Sequence, residues 1–386
     1  MSRLTRSMAR RLTALAALCL PPRLADWGRA MRQEVEALDD SAAMAFAAGC
    51  LVGALRTTAV DGLGRLARAV TGLTSPANDP SEDLPMPAAL SPRLLALLCG
   101  VAATALGFLY LTLAGAPPRL LLMNAGALAL GLLATALASR IDGDIGLRGR
   151  GAIVAGLAII LALVAAGGTA ADGAARWLVL AGVAFQPSLI VLPVMVLLFA
   201  GARTPLAATG VAIAGLALAL QPDRAMAAAL TASVAAIAVV HRERPVLLAL
   251  LASAAATLAA FAQPDLLPAT PFVDRVFLTA FATHPVAGVA VWTGAALLLV
   301  PGLVGLVRDP ANRAGHAAFV AMWGSVIASA VLGNYPTPLV AYGGSAIVGY
   351  FLAAAVMPRR VQPLAAEAGA SATGADAPER LLRTAA

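Results

Sequence analysis

Apolar runs broken by short polar stretches fill the chain from Leu94 to Met357: 94–115, 120–138, 152–168, 177–200, 205–220, 225–240, 246–262, 286–306, 317–333 and 338–357. Each is close to the roughly 20 apolar residues a helix needs to cross a bilayer, and the shorter ones fit tilted helices or a thin membrane. The pattern predicts an all-α, polytopic membrane protein of about ten transmembrane helices over residues 91–358. Residues 1–90 follow a different pattern. Arg3, Arg6, Arg10 and Arg11 precede the apolar run Leu12 to Leu20, which has the charge and length of a signal peptide. Pro21-Pro22-Arg23 stands where small cleavage-site residues belong, so the reading favours an uncleaved amphipathic helix. Asp26 to Leu38 has helical spacing, and Ser41 to Leu55 is apolar but too short to span. A Pro- and acid-rich stretch, Ser75 to Asp83, closes this segment. Residues 1–90 thus read as a cytosolic or membrane-surface helical prefix with its linker, and the Ala-, Gly- and Ser-rich residues 359–386 as a disordered cytoplasmic tail.

Composition excludes whole function classes. The 386 residues are 60% hydrophobic and 12% charged, whereas about a quarter of a soluble domain is charged. All 27 basic residues are Arg, so Schiff-base, P-loop and lysine-base chemistry are ruled out. Sorting the Arg residues by loop explains the net charge of +7. If the prefix is cytoplasmic, only Arg119, Arg176, Arg224 and Arg275 fall outside, and the other 23 lie inside. That asymmetry is the positive-inside rule for ten spans with both N- and C-termini cytoplasmic. It assigns the charge to topology, and no nucleic-acid partner is expected. Cys19, Cys50 and Cys99 are isolated, and His241, His284 and His316 lie far apart. No metal-site motif is present, and no cofactor is assigned.

Outside connections are short except Gln263 to Pro285, which carries Asp265, Asp274, Arg275 and His284. Such a loop is either a place for chemistry at the bilayer surface or an interfacial connector. Four strings occur in order: RWLVLAGVAFQPSLIVLPVMVLLFA from Arg176, Gln221-Pro222-Asp223, Val273 to Phe277, and PTPLVAYGGSAIVGY from Pro336. Together they resemble the FtsW/RodA (SEDS) family, which shows RW-x-x-x-G-x-x-x-Q-P-S-E-x-x-K, Q-P-D, H-T-D-F-I-F in its large external loop, and P-x-x-S-Y-G-G-S-S in its last helix. The resemblance covers about residues 94 to 357 and brings the same ten-helix topology.

The resemblance implies a multi-pass protein of the bacterial cytoplasmic (inner) membrane, acting in peptidoglycan synthesis during cell division or cell shaping. It implies polymerisation of undecaprenyl-linked lipid II, with a transpeptidase or other envelope-synthesis protein as partner. Such transfer requires a lipid-accessible groove, cationic or dipolar contacts for a pyrophosphate, and a carboxylate to deprotonate the attacking hydroxyl. The candidates are Asp265 and Asp274 as catalytic carboxylates, with Arg275, Gln186, Ser188, Tyr342, Gly343, Gly344 and Ser345 binding substrate. Each has a plainer alternative. Gln263-Pro264-Asp265 is also an ordinary helix-ending turn, Asp274 and Arg275 can cap an interfacial helix, and adjacent glycines can serve helix packing alone. Asp223 reads as an interfacial cap.

Two departures from the family pattern bear on activity. Leu189 and Leu192 occupy the positions of the family's Glu and Lys, so a charged pair is absent as a unit, which avoids leaving one buried charge unpaired. The external loop is also shortened, with only Gln263 to Phe272 before Val273. Three functions remain in view: a divergent glycosyltransferase, a catalytically silent member that binds envelope-synthesis proteins, and a transporter or lipid flippase. The last is weakest, because no internal repeat and no carboxylate deep within a span is present.

Overall fold

A computed structural model describes residues 2–20, 24–39, 42–54, 57, 91–138, 145–171, 174–180, 182–264 and 268–357. Among the described residues the prefix holds three helices: α1 (Ser2–Cys19), α2 (Ala25–Ala37) and α3 (Ala42–Ala54). The ten helices expected downstream are all present. They are α4 (Pro92–Leu113), α5 (Pro118–Ala138), α6 (Leu147–Gly167), α7 (Pro187–Ala202), α8 (Pro205–Leu220), α9 (Arg224–Val240), α10 (Arg244–Ala262), α12 (Pro285–Arg308), α13 (Arg313–Leu332) and α14 (Gly344–Val356). The short α11 (Val276–Thr283) lies in the long external connection. Among the described residues six helices are long and apolar enough to cross a membrane, and α7, α8, α9 and α14 are shorter apolar helices. The chain is a multi-pass, helical membrane protein.

Proline sets the helix starts. α4, α7, α8, α10 and α12 each carry Pro in their first turn, where the missing N–H would have no intrahelical partner. Ser91 Oγ accepts from Leu94 N at 3.2 Å and Thr204 Oγ1 from Ala207 N at 3.3 Å, capping α4 and α8. Because proline and its cap are counted as breaks in a hydropathy reading, several helices start two or three residues earlier than the apolar runs do.

Two runs are not continuous helices. Residues 177–180 and 183–185, expected inside the fourth span, belong to a small antiparallel sheet of β1 (Thr169–Ala171), β2 (Ala174–Leu180) and β3 (Val183–Phe185), with Leu178 opposite Phe185. Gly182 makes the β2–β3 turn at φ +78°, a conformation glycine adopts without strain. The tenth run, expected to be helical from 338, is irregular up to Gly343. Thr337, Leu339, Val340 and Ala341 are nevertheless buried. Irregular backbone at membrane depth persists only where protein satisfies its polar groups. Here Thr337 N donates to Val273 O at 2.9 Å, Tyr342 N to Phe272 O at 2.9 Å, and the Asn124 side chain donates to Ala341 O at 2.9 Å.

The core centres on α7, which packs against α6, α13 and α14. Leu192 is fully buried there and Leu189 nearly so. The positions of the absent charged pair are thus filled by apolar side chains. α14 meets α7 backbone to backbone: a Cβ at Gly349 would lie 2.0 Å from Leu189 O. α5 packs on α14, with Thr135 Oγ1 donating to Phe351 O at 2.7 Å.

Candidate active site

The external β-sheet, the start of α7, the 333–343 segment and the start of α14 enclose a cavity of about 630 Å³. Its polar end holds Arg176 and Trp177 from β2, Gln186 at the head of α7, and Gly343, Gly344 and Ser345 at the head of α14. Thr270, Asp274, Asn334, Tyr335 and Tyr342 complete that end. Its other wall is apolar, built from Met123, Gly126, Ala127 and Leu130 of α5 with Leu189 and Val348. A cavity that combines polar groups with an apolar face along α5 suits a ligand with a polar head and a hydrocarbon tail.

Two helix N-termini converge on the polar end. α7 begins at Pro187 and α14 at Gly344, and each helix N-terminus carries roughly half a positive charge. They are tied directly, since Gln186 N donates to Ser345 Oγ at 2.9 Å. Asn124 on α5 fixes the other side, its Oδ1 accepting from Gly343 N at 3.2 Å while its Nδ2 holds Ala341 O. Arg176 adds a full positive charge. It is buried, donates to Pro222 O, and stands 6.0 Å from the Tyr335 ring centroid.

Behind this end lies a buried polar network. Asp223 Oδ2 accepts from Gln186 Nε2 at 3.0 Å and from Ser188 Oγ at 2.9 Å, while its Oδ1 caps α9 through Met226 N at 3.3 Å. Asp223 is fully buried. It therefore is a helix cap, as its sequence position indicates, but an interior one that orients Gln186 rather than an interfacial one. Ser188 does not line the cavity; it supports Gln186 from behind.

Asp274 lines the cavity, partly buried, on a loop held by an antiparallel bridge to Pro336. Thr270 N donates to Asp274 Oδ2 at 2.8 Å. Burial pushes the Asp274 carboxyl above its ordinary value, and the bonds from Thr270 pull it partway back. Loop strain accompanies this placement, with Phe272 at φ 64° and Arg275 at φ 57°.

Of the residues singled out from sequence, Asp274, Gln186, Tyr342, Gly343, Gly344 and Ser345 meet in this one cavity. Asp265 lies outside the described residues. Arg275 is exposed and is not among the cavity's lining, but its Nε donates at 2.7 Å to Oδ1 of Asn334, which does line it. The lining cation is Arg176, which opens the first of the four motif strings and counts among the outside charges but was not among the site candidates. Asn124 was also missed, although an amide inside an otherwise apolar run is a detectable signal. Among the described residues, no group of three or more His, Cys, Asp or Glu is placed to hold a metal ion.

No family model matches the chain, and no curated protein matches it. Solved structures do. The crystal structure of the rod shape-determining protein RodA of Thermus thermophilus is 22% identical, with 67% of this chain and 93% of RodA covered and a TM-score of 0.49. A single-residue variant of that RodA gives 22% identity, coverage of 67% and 94%, and a TM-score of 0.50. The chain has the RodA fold. The covered share is close to the length of the ten-helix unit, and the RodA fold agrees with the resemblance carried by the four motifs.

Proposed function

We propose that this cavity is the active site of a glycosyltransferase of bacterial cell-wall synthesis, which polymerises an undecaprenyl-pyrophosphate-linked sugar of the lipid II class. The observation that carries the reading is the convergence of Arg176, two helix N-termini and Asp274 beside an apolar wall. In the reaction, the Asp274 carboxylate takes the proton from the attacking sugar hydroxyl. The freed oxygen bonds to the anomeric carbon as that carbon's bond to the pyrophosphate oxygen breaks. The departing oxygen keeps the electron pair, and its charge is met by Arg176 and the heads of α7 and α14. Met123, Gly126, Ala127 and Leu130 give the prenyl chain an apolar path along α5.

The test is polymerisation of labelled lipid II by the purified protein in liposomes. Glycan strands from the wild-type protein, lost in Asp274→Asn, support the reading. If wild-type protein makes no strands, or Asp274→Asn makes them at the wild-type rate, the reading fails. A second reading, a silent member that binds envelope-synthesis proteins such as a transpeptidase, draws on the apolar packing of Leu189 and Leu192 where the family carries a charged pair. It predicts that the protein binds lipid II without turning it over, or binds only protein partners.

A further inference from the structure

The prefix carries a surface that the membrane domain leaves uncovered. Its interior falls into two clusters. One, at the outer end, joins Ala9, Val35, Ala43 and Ala47; the other joins Ala16, Leu20, Met31, Cys50 and Ala54 and packs against Leu137, in the last turn of α5. α5 runs from Arg119 outside towards Arg140, so Leu137 marks the Arg-rich side of the membrane. The bundle therefore has an end at the bilayer and an end away from it.

Large exposed apolar side chains collect at the bilayer end. Leu15 is 48% exposed, Leu18 74%, Trp27 59% and Val52 66%, each within two or three residues of a side chain in the cluster that touches Leu137 or, for Trp27, beside Gly28, which packs on Ala17. Among the described prefix residues only Met8 breaks this pattern. The far end is polar: Arg6 Nη2 donates to Leu38 O at 2.9 Å, and Arg10 pairs with Glu36 at 2.5 Å. At the bilayer end, Arg29 pairs with the highly exposed Asp26 beside Trp27. An exposed tryptophan beside an ion pair, together with exposed leucines and valine, is the residue set that suits the headgroup and acyl boundary.

We infer that the prefix is a bilayer-docked unit whose lipid-contacting surface is Leu15, Leu18, Trp27 and Val52, held against the Arg-rich end of α5 through Leu137. The occupant of this surface is phospholipid. A soluble regulatory module on a flexible tether has no reason to gather its exposed apolar residues at the end that meets a membrane helix.

The test uses the full chain in phosphatidylcholine/phosphatidylglycerol liposomes doped with a diazirine phospholipid, photolysed and mapped by mass spectrometry. Adducts are expected at Leu15, Leu18, Trp27 and Val52, with none around Glu34 and Glu36. A Leu18→Ser/Val52→Ser variant should lose the prefix adducts while keeping those at the exposed helix positions Leu122 and Leu248, which also shows that it is folded. Adducts at Leu122 and Leu248 with none in the wild-type prefix overturn the inference, as do prefix adducts that the variant leaves unchanged. A dimer in detergent that Leu18→Ser dissolves assigns the surface to a second copy instead, and also overturns it.

Discussion

Gln186 and Asp223 share a hydrogen bond of 3.0 Å that joins the head of α7 to the head of α9, with Asp223 wholly out of solvent. The same carboxylate holds Ser188 and caps α9, so three bonds depend on one side chain. Asp223→Ala removes a helix cap and leaves the buried Gln186 and Ser188 groups short of an acceptor. A loss of about 2–3 kcal/mol is expected, read as a lower unfolding temperature in detergent. Turnover should fall as well, because Gln186 forms part of the cavity lining.

Arg176 and Arg275 separate a lining cation from a rim cation. Arg176→Lys keeps a positive charge but loses the planar fork, and the affinity for a pyrophosphate-bearing lipid should drop about tenfold, on the order of 1.4 kcal/mol. Arg275→Ala releases only Asn334 and should leave affinity within about twofold, the scale of a solvent-exposed contact. Binding of inorganic pyrophosphate or lipid II to the two variants, measured side by side, checks the assignment. Equal losses would mean that Arg275 reaches the ligand.

Asp274 gives a pH signature with a definite sign. Its carboxyl is raised by burial, so the ionised base appears only above the ordinary carboxylate range of about 4. Polymerisation should therefore rise with pH through that raised value. For stability the sign is opposite: the folded chain holds this proton more tightly than the unfolded chain, so the contribution is present at low pH and is lost as pH climbs through the folded value. The rate profile is read from initial rates of the wild-type protein, and in Asp274→Asn the pH-dependent stability contribution should disappear, as followed by thermal unfolding across a pH series.

Gly349 is required by contact and not by backbone freedom. Any Cβ there meets the Leu189 carbonyl, which cannot swing aside as a side chain would. Gly349→Ala should cost about 3 kcal/mol, the upper end for overpacking, and should pull α14 from α7 at the cavity floor. A thermal shift smaller than that of Ala353→Gly, a simple loss of buried contact, would show that the helices part without strain.

Much of the fold was legible because it rests on local sums. Hydropathy over twenty residues counts spans wherever the chain goes, and the sorting of Arg residues counts sides. Residues 177–185 defeated that arithmetic, since Trp177-Leu178-Val179-Leu180 is as apolar as any helix here and only the Gly182 turn diverts it into a sheet. The 338–343 stretch defeated it too. Pro336 and Pro338 discourage a helix there, but the stretch is buried because Val273, Phe272 and Asn124 supply its hydrogen bonds from elsewhere in the chain.

The sequence by itself determined that this is a ten-helix membrane protein with most of its arginines on one side, and that Gln186, Asp274 and the Gly343-Gly344-Ser345 string belong to one motif set. Only the tertiary structure decided which of them share a cavity. It put Arg176 in the lining and Asn124 behind Gly343, left Arg275 exposed on Asn334 and placed Ser188 behind Gln186. Membrane partition depends on summed side-chain transfer energies, which composition carries. Where a side chain points depends on chain reversals and on backbone groups finding distant partners, and those are properties of the packed whole.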